Sequence, residues 1–139
     1  MKRILVVEDD VKIATALKVR LEAAGHEVVA ASDGFSGLKM AMKHKPHLIL
    51  LDIMMPVGMG FSVAERLKDL GLGDIPIVFI TASKRAGLRK TAHRLGAAGF
   101  FEKPYDAEEL LAALDLILGL PAVRRRGTDP SASRVQPNP

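Results

Sequence analysis

Glu8, Asp9, Asp10, Asp52, Thr81 and Lys103 are the residues of this chain whose types suit chemistry together. Each follows or ends a short apolar run: Ile4 to Val7, Leu48 to Leu51, Pro76 to Ile80 and Ala98 to Phe101. Apolar runs of this length, bounded by turn signals, read as buried strands. Open parallel sheets place ligands at the carboxyl ends of their strands. If these strands are neighbours, two or three carboxylates, a hydroxyl and an ammonium converge on one crevice. Clustered carboxylates repel unless a cation lies between them. Mg²⁺ fits such a site, since it takes oxygen ligands and is commonly held by one or two carboxylates plus a phosphate. Lys103 adds a point charge and Thr81 a donor, which suits a phosphoryl group with its three anionic oxygens. Asp52 is then the nucleophile, forming an aspartyl phosphate.

The elements that position these groups alternate regularly. Lys2–Val7 reads as a strand. From Val11 the period changes, with Ile13, Leu17, Leu21 and Ala24 at helical spacing and Gly25 after the helix C-cap. Glu27–Ala31 is strand-like and Ser32-Asp33-Gly34 a turn. Phe35, Leu38 and Met42 mark a second helix, closed by Lys43-His44-Lys45 and Pro46. After the Asp52 strand, Phe61, Ala64 and Leu67 suggest a third helix ending near Gly71. Pro76–Ile80 is a strand tipped by Thr81-Ala82-Ser83. A fourth helix is expected over about Lys84–Leu95, and a fifth strand over Ala98–Phe101. Asp106 and Glu109 have capping-box spacing before Leu110, Leu114 and Ile117. Five strands alternating with five helices predict an α/β fold: a doubly wound five-stranded parallel sheet covered on both faces.

With these motifs in place, the chain resembles the receiver domain of bacterial response regulators over about residues 1–120. The resemblance rests on Leu5-Val6-Val7-Glu8-Asp9-Asp10, Leu50-Leu51-Asp52-Ile53-Met54-Met55-Pro56, Thr81-Ala82-Ser83 and Phe100-Phe101-Glu102-Lys103-Pro104, in this order. It implies a flavodoxin-like (βα)5 domain with strand order 2-1-3-4-5. It also implies that Asp52 is the phospho-acceptor, served by a sensor histidine kinase or a histidine phosphotransfer protein. By the same resemblance Asp9 would be the direct Mg²⁺ ligand, Glu8 would act through water, and Met54 would give only its backbone carbonyl. Asp10 falls outside that acidic pair. Thr81 and Lys103 contact the phosphoryl oxygens, and small Ala82 leaves room for them. Phe100 holds the switch-aromatic position, and the Lys103–Pro104 bond is expected to be cis. Phosphorylation then repacks the face of helix four, strand five and helix five to control an output partner. No residue is assigned to a turnover enzyme.

Two departures stand out. After Pro56 the family commonly reads Gly-Met-Asp-Gly, whereas this chain has Val57-Gly58-Met59-Gly60 and lacks the acid that caps the third helix. Receivers of winged-helix regulators often carry two acids before the switch aromatic, used in dimer salt bridges. Here Leu95-Gly96-Ala97-Ala98-Gly99 has none, which argues against that dimer and leaves a monomer or another phosphorylation-dependent dimer.

Simpler readings exist for most of these residues. Asp52 alone is a strand-end turn former, and Glu8-Asp9-Asp10 alone is a solvated turn opening a helix, where acids suit the dipole. Phe100, Met54 and Met55 suit a core. Lys84, Arg85, Arg89, Lys90 and Arg94 are a solvated basic face, or a docking face for an acidic partner. His26, His44, His47 and His93 have no ligand spacing. An Asp-nucleophile, Mg²⁺-dependent phosphohydrolase is the alternative from another class. Such enzymes place an acid two residues after the nucleophile, and Met54 stands there. A degenerate receiver acting only as a scaffold is a further alternative, disfavoured by the full set of site residues.

The totals bound the rest. There is no cysteine, hence no thiolate metal site or disulfide framework. No apolar run approaches the roughly 20 residues that span a bilayer, and no signal-peptide core follows Met1. A cytoplasmic address without membrane contact is expected. The net charge of +4 is uneven: residues 1–121 carry +1 and the last 18 residues +3, through Arg124, Arg125, Arg126 and Arg134 against Asp129. The basic character therefore lies mostly in residues 121–139, a Pro/Ser-rich tail or linker. This argues against nucleic-acid binding by the folded part. The chain reads either as a stand-alone receiver acting on a separate effector or as one piece of a protein with a C-terminal effector domain.

Overall fold

A computed structural model describes residues 1–55 and 59–121. The tail reading for 121–139 and the substitution at Val57-Gly58 therefore fall almost wholly outside the described residues. The element order is β1 (Arg3–Val7), α1 (Val11–Ala23), β2 (Glu27–Ala31), α2 (Gly34–His44), β3 (Leu48–Asp52), α3 (Gly60–Asp69), β4 (Ile77–Thr81), α4 (Leu88–Arg94), β5 (Gly99–Glu102) and α5 (Ala107–Ile117). The strands form one parallel sheet in the order β2-β1-β3-β4-β5. The flavodoxin-like architecture is the one expected.

The strict two-residue period of each strand builds two cores. Leu5, Val7, Ile49, Leu51 and Phe79 face Ala41 of α2, Val63, Ala64 and Leu67 of α3, and Leu88 and Ala92 of α4. Ile4, Val6, Leu48, Leu50, Val78 and Ile80 face Leu17 and Leu21 of α1 and Leu110, Leu111 and Leu114 of α5. The central strands are thus apolar on both sides, as a sheet covered by two helical layers requires. Burying a side chain of this size is worth about 1.5–3 kcal/mol. Against β1, α2 packs closely enough that a Cβ on Gly37 would lie 3.0 Å from a Val7 methyl carbon.

Local signals set the helix starts. Asp10 Oδ1 accepts the N–H groups of Lys12 and Ile13, Asp33 Oδ1 that of Ser36, and Asp106 Oδ1 those of Glu108 and Glu109. Each satisfies helix N–H groups that lack an intrahelical acceptor. Met59 precedes α3 with no side-chain cap, in keeping with the missing acid. Gly25 has φ +95° after α1, the left-handed conformation expected there.

One boundary differs from expectation. The fourth helix begins at Leu88 rather than near Lys84. Hydroxyl groups compete with the helix for the backbone here: Thr81 Oγ1 accepts the Ser83 N–H at 3.0 Å, and Ser83 Oγ accepts the Arg85 N–H at 3.1 Å. Gly87 then turns at φ +89°, outside the helical region, and α4 starts after it. Among the described residues, no helix is long and apolar enough to cross a membrane.

Candidate functional site

The carboxyl ends of β1, β3, β4 and β5 share one edge of the sheet. Glu8 follows β1 and lies in register with the end of β2, where its N–H donates to the Ala31 carbonyl at 3.0 Å. Asp52 ends β3 and Thr81 ends β4; Lys103 follows β5, with its N–H on the Thr81 carbonyl at 2.8 Å. The crossover β1-β3 puts Glu8 and Asp52 side by side although 43 residues intervene.

Carboxylate oxygens of Glu8, Asp9 and Asp52 lie within 4.8 Å of one another. Glu8 and Asp52 are buried, with 2% and 4% exposure, and Asp9 is exposed. Lys103 reaches between the two buried acids: its Nζ is 2.8 Å from Glu8 Oε1 and 3.3 Å from Asp52 Oδ2. The remaining oxygens are held by main chain. Asp10 N–H donates to Glu8 Oε2 at 3.0 Å, and Met54 N–H to Asp52 Oδ1 at 3.2 Å.

This site is short of positive charge, with three carboxylates around one ammonium. Burial pushes Glu8 up to about 7, with the nearby Asp52 charge adding to it, while the bonds from Lys103 and the Asp10 N–H oppose the rise. Burial works against the Lys103 charge, but the Glu8 hydrogen bond and the Asp52 charge outweigh it and hold the ammonium above its ordinary pKa. Tyr105, beside the site, is also pushed up by burial. An all-oxygen donor set with surplus negative charge fits a hard divalent cation.

The other expected residues surround this centre. Thr81 is fully buried and occupied with the Ser83 amide. Ala82 is exposed and, with Ile13, Lys103, Pro104 and Tyr105, lines a cavity of about 520 Å³ beside the ammonium. The Lys103–Pro104 bond is cis. Phe100 is half-buried two register steps below the tips of β4 and β5, paired with Phe79. The Arg89 guanidinium carbon lies 4.6 Å from the centre of its ring. The Met54 side chain packs against the α2–α4 core. Asp10 serves as the α1 cap. The histidines lie elsewhere: His47 Nδ1 accepts the Arg3 N–H at 2.9 Å, and buried His26 approaches Asp115 at 3.8 Å.

Gly60 was not singled out as a site residue by its sequence. A Cβ there would lie 2.6 Å from the Asp52 carbonyl oxygen and 2.9 Å from the Ile53 Cα. Its N–H donates to the Ile53 carbonyl at 2.9 Å. The first residue of α3 therefore rests directly on the main chain of Asp52. A glycine opening a helix shortly after a buried acid was the available signal.

Comparison with known proteins gives a consistent result. The family model described as response regulator receiver domain matches residues 4–115. The chain is 36% identical over 135 residues to the DNA-binding dual master transcriptional regulator RpaA of Synechocystis, covering 96% of this chain and 54% of RpaA. It is 34% identical over 119 residues to protein PilH of Pseudomonas aeruginosa, covering 85% of this chain and 98% of PilH. Among solved structures, chemotaxis protein CheY4 of Vibrio cholerae superposes with a TM-score of 0.78 at 30% identity, covering 84% of this chain and 98% of CheY4. The chain spans about half the length of RpaA and of several other transcriptional regulators it matches.

Proposed function

The chain belongs to the response regulator receiver family of two-component signalling, and on that premise we propose that Asp52 accepts a phosphoryl group from a phosphohistidine of a sensor kinase or phosphotransfer protein. The observation that carries this reading is the position of Asp52: buried, with one oxygen fixed by the Met54 N–H and the other facing Lys103. A fixed carboxylate loses little orientational freedom on attack. Its oxygen forms the new O–P bond as the N–P bond of the phosphohistidine breaks, and the imidazole, whose other ring nitrogen already carries a proton, leaves with the bonding pair as the neutral ring.

Glu8, Asp9, Asp52 and the Met54 carbonyl would hold Mg²⁺. When bound, that ion supplies charge neutralisation between the acids and the incoming phosphoryl oxygens. Lys103, 3.3 Å from Asp52 Oδ2, turns from Glu8 toward a phosphoryl oxygen. The Thr81 hydroxyl donates to another, and Phe100 follows the space that Thr81 vacates. The face of α4, β5 and α5 is thereby repacked, as a shift between two pre-existing arrangements. Small Ala82 leaves the approach to Asp52 open. The reading places the reaction in the cytoplasm and gives the switched face to an effector, on a separate protein or on a following domain.

Incubation with acetyl phosphate and Mg²⁺ followed by intact-mass measurement tests the proposal. One phosphoryl adduct is expected, absent in Asp52→Asn and in EDTA. An adduct that persists in Asp52→Asn, or multiple turnover of unrelated phosphate esters, would overturn it.

A further inference from the structure

Between Asp74 and Glu102 the chain carries Lys84, Arg85, Arg89, Lys90 and Arg94 and not one carboxylate. Arg85, Arg89, Lys90, His93 and Arg94 are exposed on α4 and the turn before it. Within the helix, Arg89 and His93, and Lys90 and Arg94, stand four residues apart, so they form two adjacent rows. This cationic face is joined to β5 at two points. Lys84 Nζ lies 3.3 Å from Glu102 Oε1, and the Arg89 guanidinium lies over the Phe100 ring.

We propose that the α4 face receives an acidic protein segment, and that Arg89 makes its reception depend on the state of Asp52. In the unmodified protein the Arg89 guanidinium rests on the negative face of the Phe100 ring. When Phe100 moves, that contact is lost and the guanidinium turns outward, where a carboxylate gives it a paired, charge-assisted bond. The inference rests on the Asp52 reading above and supplies the chemistry of its output partner.

A short polypeptide suits this surface better than a nucleic acid. The seven residues of α4 span about 10 Å, one or two turns of an opposing helix. Nucleic-acid affinity grows with the number of phosphates neutralised along an extended surface. Here Glu102, Asp106, Glu108 and Glu109 are exposed on the adjacent strand and on α5, so a long polyanion leaving α4 meets carboxylates. A segment with acids confined to one or two turns meets only the cations.

The test uses the full chain with a labelled helical peptide of about 20 residues carrying glutamates at i, i+4, and a matched lysine peptide. With Mg²⁺ and beryllium trifluoride as phosphoryl mimic, the glutamate peptide is expected to bind about tenfold tighter than without, and more weakly as salt rises. Arg89→Gln removes that tenfold gain; its melting curve checks folding. Replacing Arg124, Arg125 and Arg126 by serine leaves the gain in place. Three outcomes overturn the inference: equal binding of the two peptides, stronger binding of a single-stranded oligonucleotide, or mimic-driven self-association that the glutamate peptide does not compete away. If wild type gains the phosphoryl adduct but not peptide affinity, this inference alone fails. If no adduct forms, the Asp52 reading fails first.

Discussion

Lys103 Nζ is closer to Glu8 than to Asp52, 2.8 Å against 3.3 Å, across 95 residues of chain. The lysine that faces Asp52 is therefore held by a neighbouring acid. Metal and ammonium are alternative sources of positive charge for Glu8. On the proposed reading, a cation bound there would leave Lys103 available to Asp52.

Removing that ammonium leaves two buried carboxylates facing each other. Lys103→Ala is expected to destabilise the metal-free protein by about 3 kcal/mol, the lower range for breaking a buried pair. Mg²⁺ should restore more stability to the variant than to wild type. Urea unfolding at pH 8, with EDTA and with Mg²⁺, measures both; equal responses to Mg²⁺ would sink the idea that ion and lysine compete.

Glu8 gives a pH dependence whose sign is fixed. Its folded pKa of about 7 lies above the ordinary glutamate value of 4.5, so the folded state binds the proton more tightly than the unfolded chain. The contribution of Glu8 to stability is complete below pH 4.5 and is lost as pH rises toward 7. In EDTA, the Glu8→Gln variant should lose less stability than wild type between these limits. Mg²⁺ affinity of wild type should rise over the same window, since the ligand must be ionised. Paired denaturation series at pH 5, 6, 7 and 8 would show both trends; parallel curves for the two proteins would refute the assignment.

Neighbouring acids should separate cleanly. Asp10→Ala removes the α1 cap and is expected to cost about 1 kcal/mol of stability, with little change in Mg²⁺ affinity. Asp9→Ala should do the reverse. Denaturant midpoints beside a Mg²⁺ titration decide it, and a swapped pattern would reassign the metal ligand.

Gly60→Ala puts a methyl group against the main chain of Asp52 and Ile53. Overpacking of this kind costs about 1–3 kcal/mol. The shift should also slow adduct formation from acetyl phosphate. A variant with normal stability and normal phosphorylation would show that α3 can move away without disturbing Asp52.

The strands were legible because their apolar residues are unbroken; their order came from the resemblance to receivers, and parallel topology then puts all the tips at one edge. That is enough to bring Glu8, Asp9, Asp52 and Lys103 to one edge. The early start given to α4 had a physical cause: Lys84, Arg85 and Ala86 are good helix formers, and nothing local reveals that the Thr81 and Ser83 hydroxyls take up the amides first. The Lys103–Glu8 pairing and the Arg89–Phe100 contact were hidden for another reason. Side-chain partners across strands depend on rotamers and burial, which spacing does not encode. The tight seat of Gly60 depends likewise on how α3 returns to β3.

The turn from Thr81 to Arg85 is tied together by two side-chain links that would act like a short coupling rod on the proposed reading. The Ser83 amide is hitched to the Thr81 oxygen, and the Arg85 amide to the Ser83 oxygen. A hydroxyl can donate its hydrogen in one direction while its lone pairs keep hold in the other. If Thr81 turns toward a phosphoryl group, these links draw the main chain after it, up to the Gly87 pivot. A helix running unbroken from Lys84 would offer no such break; here the chain turns at Gly87 before α4 begins.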